Sequence, residues 1–277
     1  MNKPIDTNNV YGWDTTQLNS VKEVFDTINF LLKNRWISRG QSECWGKLIP
    51  KIDRDPIAIS ERSKLIHIES QSIHTFQSVA MTNATKDERE ALKHDVNTLM
   101  VLQHYGVPTR LLDWSQYPYV ALFFATFVNE NVDGELWGFN YNKYVNQGSK
   151  QWERITDIPI GSPIEVRYNV AFSKEEPKQD FFMCIFDYLY HHRINAQKGL
   201  FSLTACFGKD HARSIAELFD NDKNFYHRYI IKSDLKSELV SLLEEKYGIS
   251  MGSLFPDTAG AAEAVKANLY RNAKKVS

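Results

Sequence analysis

The run Tyr119-Val120-Ala121-Leu122-Phe123-Phe124-Ala125-Thr126 is apolar on nearly every side. A helix of that composition has to be buried all round, so the rest of the chain must wrap it. Directly before it lies a stretch of opposite character. Gln103, His104, Tyr105, Thr109, Arg110 and Asp113 fall within eleven residues. Gly106 and Pro108 turn the chain in its middle, because glycine permits positive φ and proline holds its own φ near −65°. The residue before a proline is pushed out of helical space, so Gln103–Arg110 reads as a loop. Asp113 is then placed to cap the apolar helix. The whole reads as a polar loop pinned to a helix start, where free N–H groups and the dipole favour anions. Polar groups set against so much apolar surface must be paired or perturbed. Taken alone, Arg110 and Asp113 are equally well read as a structural ion pair closing a loop, and His104 as a hydrogen-bonded core histidine.

At 277 residues the chain suits one large domain or two small ones. With no repeat, low-complexity tract or linker, it reads as a single α+β domain over 1–277. The net charge of −1 excludes a general polyanion binder, so a nucleic-acid partner would have to meet a local patch. Cys44, Cys184 and Cys206 are far apart, odd in number and without metal-ligand spacing, so neither a disulfide framework nor a metal site is expected. The polar start lacks a signal-peptide run, and no segment approaches the roughly 20 apolar residues that span a bilayer. The expectation is a cytoplasmic protein with reduced thiols and no membrane partner.

Taken in order, apolar residues at helical spacing from Leu18 predict a helix to about Lys33. Trp36–Ser42 predicts a strand that ends at Gly40, where glycine lets the backbone turn or approach a ligand. Arg39 there can fork onto a phosphate or carboxylate, or form a surface ion pair. Trp45, Leu48, Pro50 and Arg54 lie in an irregular segment. Helices are expected over about Ser60–Ser78 and from Thr85 towards Gln103. After a turn at 129–134, Glu135–Tyr141 predicts a strand. Residues 142–179 read as short strands, including Ile164–Phe172, and surface loop. Asp180–Tyr190 reads as buried strand or helix. Gln197, just before Gly199 and the strand Leu200–Phe207, either places its amide in a cleft or caps a strand edge. Phe225–Ile231 predicts a strand. Asp234 predicts the cap of a helix cored by Leu235, Leu239, Leu242 and Leu243 and ended by Gly248. A turn at 254–257 and a helix over Ala259–Leu269 close the chain.

Three blocks together resemble the FRG domain, a bacterial family named for an aromatic-Arg-Gly motif. The first is Ser38-Arg39-Gly40-Gln41-Ser42, with Trp45, Leu48, Pro50 and Arg54 behind it; Ser38 stands where the family usually has an aromatic residue. The second, the most specific, is Gln103-His104-Tyr105-Gly106-Val107-Pro108-Thr109-Arg110-Leu111-Leu112-Asp113-Trp114, followed by Pro118 and Ala121–Ala125. The third is Arg193-Ile194, Ala196-Gln197, Gly199 and Phe201, and Leu254-Phe255-Pro256-Asp257 also fits. The blocks span about residues 30–265.

The motif order is similar to that of ADP-ribosyltransferases. The resemblance therefore implies a central mixed or antiparallel sheet with flanking helices, and a reaction transferring ADP-ribose from NAD to a macromolecule. It implies Arg39, His104, Tyr105, Asp113 and Gln197 as catalytic. It also implies NAD contacts from Arg39, Gly40, Gln41, His104, Tyr105, Thr109, Arg110 and Arg193. Arg39 would hold the pyrophosphate or ribose, His104 and Tyr105 the nicotinamide side, and Arg110 a phosphate. Gln197 would take the late position where those enzymes have Glu or Gln. A neutral amide cannot stabilise a cation as a carboxylate does, so Asp113 is the other candidate for that charge. The implied role is a toxin or antiviral effector with RNA the favoured acceptor, held silent by a neutralising antitoxin protein. A non-catalytic nucleic-acid-binding module and a nuclease using His104 and Asp113 are the alternatives from other classes.

Overall fold

The computed structural model describes residues 10–56, 64–159, 161–162, 179–186, 192–257, 260–262 and 265. It is α+β: one mixed sheet with helices on both faces. The first strand, β1 (Thr15–Leu18), leads into α1 (Val21–Lys33), whose N–H at Glu23 is capped by the Ser20 hydroxyl. Then β2 (Trp36–Gln41) crosses the centre of the molecule. After a 3-10 turn at Ile52–Arg54 come α2 (Leu65–Ala80), α3 (Lys86–Ala91) and α4 (Asp95–His104). They are followed by β3 (Leu112–Ser115) and the apolar helix α5 (Pro118–Thr126). The second half adds β4 (Gly134–Asn140), α6 (Tyr141–Thr156), β5 (Phe182–Ile185), α7 (His192–Gln197) and β6 (Gly199–Thr204). It ends with α8 (His211–Leu218), β7 (Tyr226–Ile231), α9 (Lys236–Tyr247) and α10 (Met251–Leu254).

The strand order is β1-β7-β4-β2-β3-β6-β5. β1 runs parallel to β7, and the remaining pairs are antiparallel. Alternation along the strands divides the core, as the two-residue period of a strand requires. Trp36 and Leu136 join α1, α5 and α9 on one face. Ile37, Trp137 and Phe139 join Trp114, α6 and α8 on the other. Helices α2 and α4 pack with Phe201 and Leu203 at the β5–β6 end. The buried helix read from the sequence is α5, in which Tyr119–Phe123, Ala125 and Thr126 are all buried.

Local readings differ from the fold in several places. Leu112–Ser115 is a strand, so Asp113 sits in β3 and does not cap α5, which begins at Pro118 after Tyr117. Leu112 and Trp114 both face the core while β3 pairs with β6, and that pairing overrides the cap signal. Residues 141–156 form a helix where strands and loop were expected. Asn140 caps it on the Lys143 N–H, and Tyr144 and Trp152 give it a buried side. Asp234 lies inside a 3-10 turn, Ser233–Leu235, and makes no cap for α9. The reading of 164–172, and most of the last helix, falls outside the described residues. All three cysteines are free thiols. Among the described residues no helix is long and apolar enough to cross a membrane.

Candidate functional site

Strand β2 is fully paired on one side and nearly unpaired on the other. Six residues of β2 match six of β4, from Trp36↔Asn140 to Gln41↔Glu135. Against β3 the register holds at Ser38↔Ser115 and nowhere else. Beyond that pair the two strands splay, and a cavity of about 400 Å³ opens where the ladder stops. It is lined by Arg39, Gly40 and Gln41 from β2, by Gln103 and His104 from the end of α4, and by Asp113 and Trp114 from β3. Arg193 and Gln197 of α7 close it with Phe255, while Phe124 of α5 and Trp45 add apolar walls.

Arg39 bridges the splay. Its Nη1 donates to the Asp113 backbone carbonyl at 2.7 Å, in place of a ladder hydrogen bond, and lies 3.7 Å from Asp113 Oδ2. Its Nε is buried without a hydrogen-bond partner among the described residues. Burial lowers the Arg39 pKa, against the raising influence of Asp113. A guanidinium only 15% exposed and partly satisfied gains much from an incoming anion that completes its hydrogen bonds. The Asp113 carboxylate is 60% exposed and accepts from Gln103 Nε2 at 3.0 Å. Among the described lining residues it is the one carboxylate. Gln103 is oriented in turn by the Thr109 hydroxyl, which donates to its Oε1. No group of three or more candidate metal ligands occurs among the described residues.

The residues singled out in the sequence divide accordingly. Arg39, Gly40, Gln41, His104, Asp113, Arg193 and Gln197 meet at the cavity. Thr109, Arg110 and Tyr105 do not line it. Thr109 is buried and acts on Gln103 instead of on a ligand. Arg110, expected on a phosphate, is 3% exposed and held by Glu69 through two hydrogen bonds, of 2.8 and 2.5 Å. It also donates to Ala205 O and stacks on Phe207. That geometry satisfies a buried guanidinium and leaves it a structural role, correcting the expected phosphate contact. Tyr105, expected beside the nicotinamide, is 70% exposed and meets His104 edge-on at 5.0 Å.

Several lining groups are already committed. Gln41 donates to Glu135 Oε1 at 2.5 Å and to Lys47 O at 3.0 Å. Glu135 also accepts from the backbone N–H groups of Trp45 and Gly46 and is paired with fully buried Arg228. This strut fixes the loop that leaves β2. Gln197 donates to Leu254 O at 3.1 Å, and Arg193 grips Asp257 Oδ2 at 2.8 and 3.1 Å while stacking on Phe255. The two α7 residues thus hold the Leu254–Asp257 turn, and with it Phe255, against the cleft.

Reading the sequence missed Gln103 as the orienter of Asp113, and missed the support behind Trp114. Trp114 Nε1 donates to Ser202 Oγ at 2.7 Å, and Ser202 meets the buried His211 Nδ1 at 2.8 Å. No local signal marks that chain, because Ser202 and His211 reach Trp114 through the β3–β6 pairing.

Comparison with known proteins yields one family. The model of the FRG domain matches residues 34–133, from the turn before β2 to the turn before β4. No curated protein and no solved structure matches the chain.

Proposed function

The chain carries an FRG domain, and from that premise we propose that its cleft binds NAD and transfers ADP-ribose to a macromolecular acceptor, with RNA favoured over protein. The observation that carries the reading is the Arg39–Asp113 pair at the splayed β2–β3 junction: a guanidinium with an unused buried Nε beside the one described carboxylate of the cavity. Arg39 takes the pyrophosphate, since an Arg fork matches phosphate oxygens. Asp113, held by Gln103, faces the ribose. As the C1′–nicotinamide bond breaks, nicotinamide leaves with the bonding pair and C1′ becomes oxocarbenium-like. A carboxylate held in place beside C1′ stabilises that cation. The acceptor nucleophile then bonds to C1′ and gives up its proton. His104 lines the nicotinamide end. Arg193 and Gln197 serve as positioning residues, because their side chains hold the Leu254–Asp257 turn. Exposed Tyr105 and Val107, on the loop after α4, offer apolar faces on which splayed bases of single-stranded RNA can stack. A cell making such a toxin or antiviral effector must hold it silent, which extends the reading to a neutralising partner protein.

The test is incubation of the purified protein with labelled NAD and separate pools of RNA, DNA and cell protein. Label is expected in the RNA pool. Arg39→Ala and Asp113→Asn are each expected to lower transfer by about 100-fold or more, with unchanged circular dichroism. No transfer and no nicotinamide release from folded protein would overturn the reading. Steeply salt-dependent RNA binding in that event would favour a binding module instead.

A further inference from the structure

Beside Trp45 of the cleft wall lies a second arginine, Arg54, whose guanidinium makes no hydrogen bond or ion pair among the described residues. Arg54 ends the 3-10 turn Ile52–Arg54, and the turn is fastened from three directions. Ile52 N–H donates to Thr109 O at 3.2 Å, Gly208 N–H donates to Asp53 Oδ1 at 2.9 Å, and Lys51 Nζ donates to Gly106 O at 2.5 Å. Ile52 and Asp53 are each 6% exposed, whereas Arg54 is turned outward. Its guanidinium lies 5.0 Å from the centre of the Trp45 ring. Among the described residues it has no ion pair or hydrogen bond, and its proton affinity is lowered by burial alone.

Trp45 is equally well placed. Its N–H donates to Glu135 at 3.1 Å, its Nε1 donates to Glu43 Oε2 at 3.3 Å, it lines the cavity, and 40% of it remains exposed. A guanidinium stacked on an indole keeps its in-plane N–H fork open. Arg54 is also near enough to Arg39 for its positive charge to lower the Arg39 pKa. Of these two neighbouring guanidiniums, Arg39 lines the cavity and meets its one described carboxylate, Asp113, while Arg54, stacked on Trp45, meets no carboxylate among the described residues. The missing counter-charge is an anion.

We propose that Trp45 and Arg54 form the subsite for the adenosine-diphosphate end of the dinucleotide. Arg54 forks onto the pyrophosphate from the mouth while Arg39 holds it from the floor, and the adenine stacks on the exposed part of Trp45. The proposal rests on reading the cleft as an NAD site. A strand of nucleic acid calls for a track of cations along its backbone. Here the cations without a full partner are Arg39 in the cavity and Arg54 on its Trp45 wall, Arg193 being paired with Asp257, on a chain of net charge −1, which suits two adjoining phosphates.

The experiment is titration of the full chain with ADP, read by calorimetry, for the unaltered protein and for Arg54→Ala, Trp45→Ala and Trp45→Phe. Arg54→Ala is expected to weaken ADP by about 10- to 100-fold, the range of a charge-assisted hydrogen bond. Trp45→Ala is expected to weaken it about 10-fold through lost stacking, and Trp45→Phe to restore most of that. Thermal unfolding of Arg54→Ala should nearly match that of the unaltered protein, because the guanidinium makes no hydrogen bond or ion pair among the described residues and loses only an exposed contact with the Trp45 ring. Unchanged ADP affinity in Arg54→Ala would overturn the subsite. So would a loss of single-stranded RNA binding in Arg54→Ala with ADP binding intact, since the pair would then belong to the acceptor. ADP binding that depends on Arg54, in a protein that releases no nicotinamide from NAD, would sustain the subsite and sink the transferase reading.

Discussion

Arg39 and Arg110 show how much a guanidinium withdrawn from water depends on its partner. Both sit within the motif blocks. Arg110 meets Glu69, 41 positions away, in a two-bond fork that completes it. Arg39 meets a backbone carbonyl and a carboxylate at 3.7 Å, which leaves its Nε open. Nothing local to either arginine tells them apart, because what separates them is a residue on another helix. His211 makes a similar point on the core side of the cleft. It is fully buried, bonded to Ser202, and its pKa is pushed down to about 3, chiefly by burial and further by the Arg39 charge. The unfolded chain binds the proton near the ordinary value of 6.5 while the fold does not. The neutral imidazole's contribution is therefore complete above pH 6.5 and is lost as pH falls towards 3. The slope for one such group approaches about 1.4 kcal/mol per pH unit. In urea unfolding at pH 7, 6 and 5, the stability advantage of the unaltered protein over His211→Gln should shrink at each step. A gap that stays constant would show that His211 is not held neutral.

At the scale of elements, the glycine of the Arg-Gly motif has a packing reason beside any ligand reason. A Cβ on Gly40 would lie 1.8 Å from the Ala121 carbonyl oxygen and 2.6 Å from the Ala125 nitrogen. A Cβ on Gly134, in the adjoining strand β4, would lie 2.2 Å from the Ala125 carbonyl oxygen. Helix α5 therefore rests on β2 and β4 at backbone distance, and the atoms it meets cannot swing aside as a side chain would. Gly40→Ala should cost about 3 kcal/mol or more by overpacking, measured by urea unfolding, or leave the protein insoluble. A Gly40→Ala variant of unaltered stability would mean that α5 is not seated as described. The apolar character of α5 was plain in the sequence, since a helix without a polar side can only be buried. Its seat on two glycines was not, because Gly40 and Gly134 are 94 positions apart. Helix α6 was missed for another reason: its polar surface hides the spacing of Tyr144 and Trp152, the two residues it buries.

Over the whole molecule, the matched segment and the folded unit differ. Residues 34–133 hold β2, β3 and the helices between and after them. Strand β2, however, forms its six-residue ladder with β4, and β3 forms its ladder with β6, and both partners lie beyond residue 133. A fragment limited to 34–133 should show little circular dichroism of folded structure and rapid proteolysis, whereas the full chain resists. A stable, cooperatively unfolding fragment would contradict that dependence. By itself the sequence determined the α+β class, the central strand at Trp36–Gln41, the buried helix after it and the residue types able to do chemistry. Each of these depends on periodicity, turn chemistry or composition within a short window. Only the tertiary structure decided which of those residues meet. Where β2 leaves β3, Arg39, Asp113 and Trp45 came to share a cavity, while Arg110 was drawn into the core by Glu69. The physical reason is that hydrogen-bond partners and counter-charges for buried polar groups are recruited across the sheet, from chain positions that no local pattern connects.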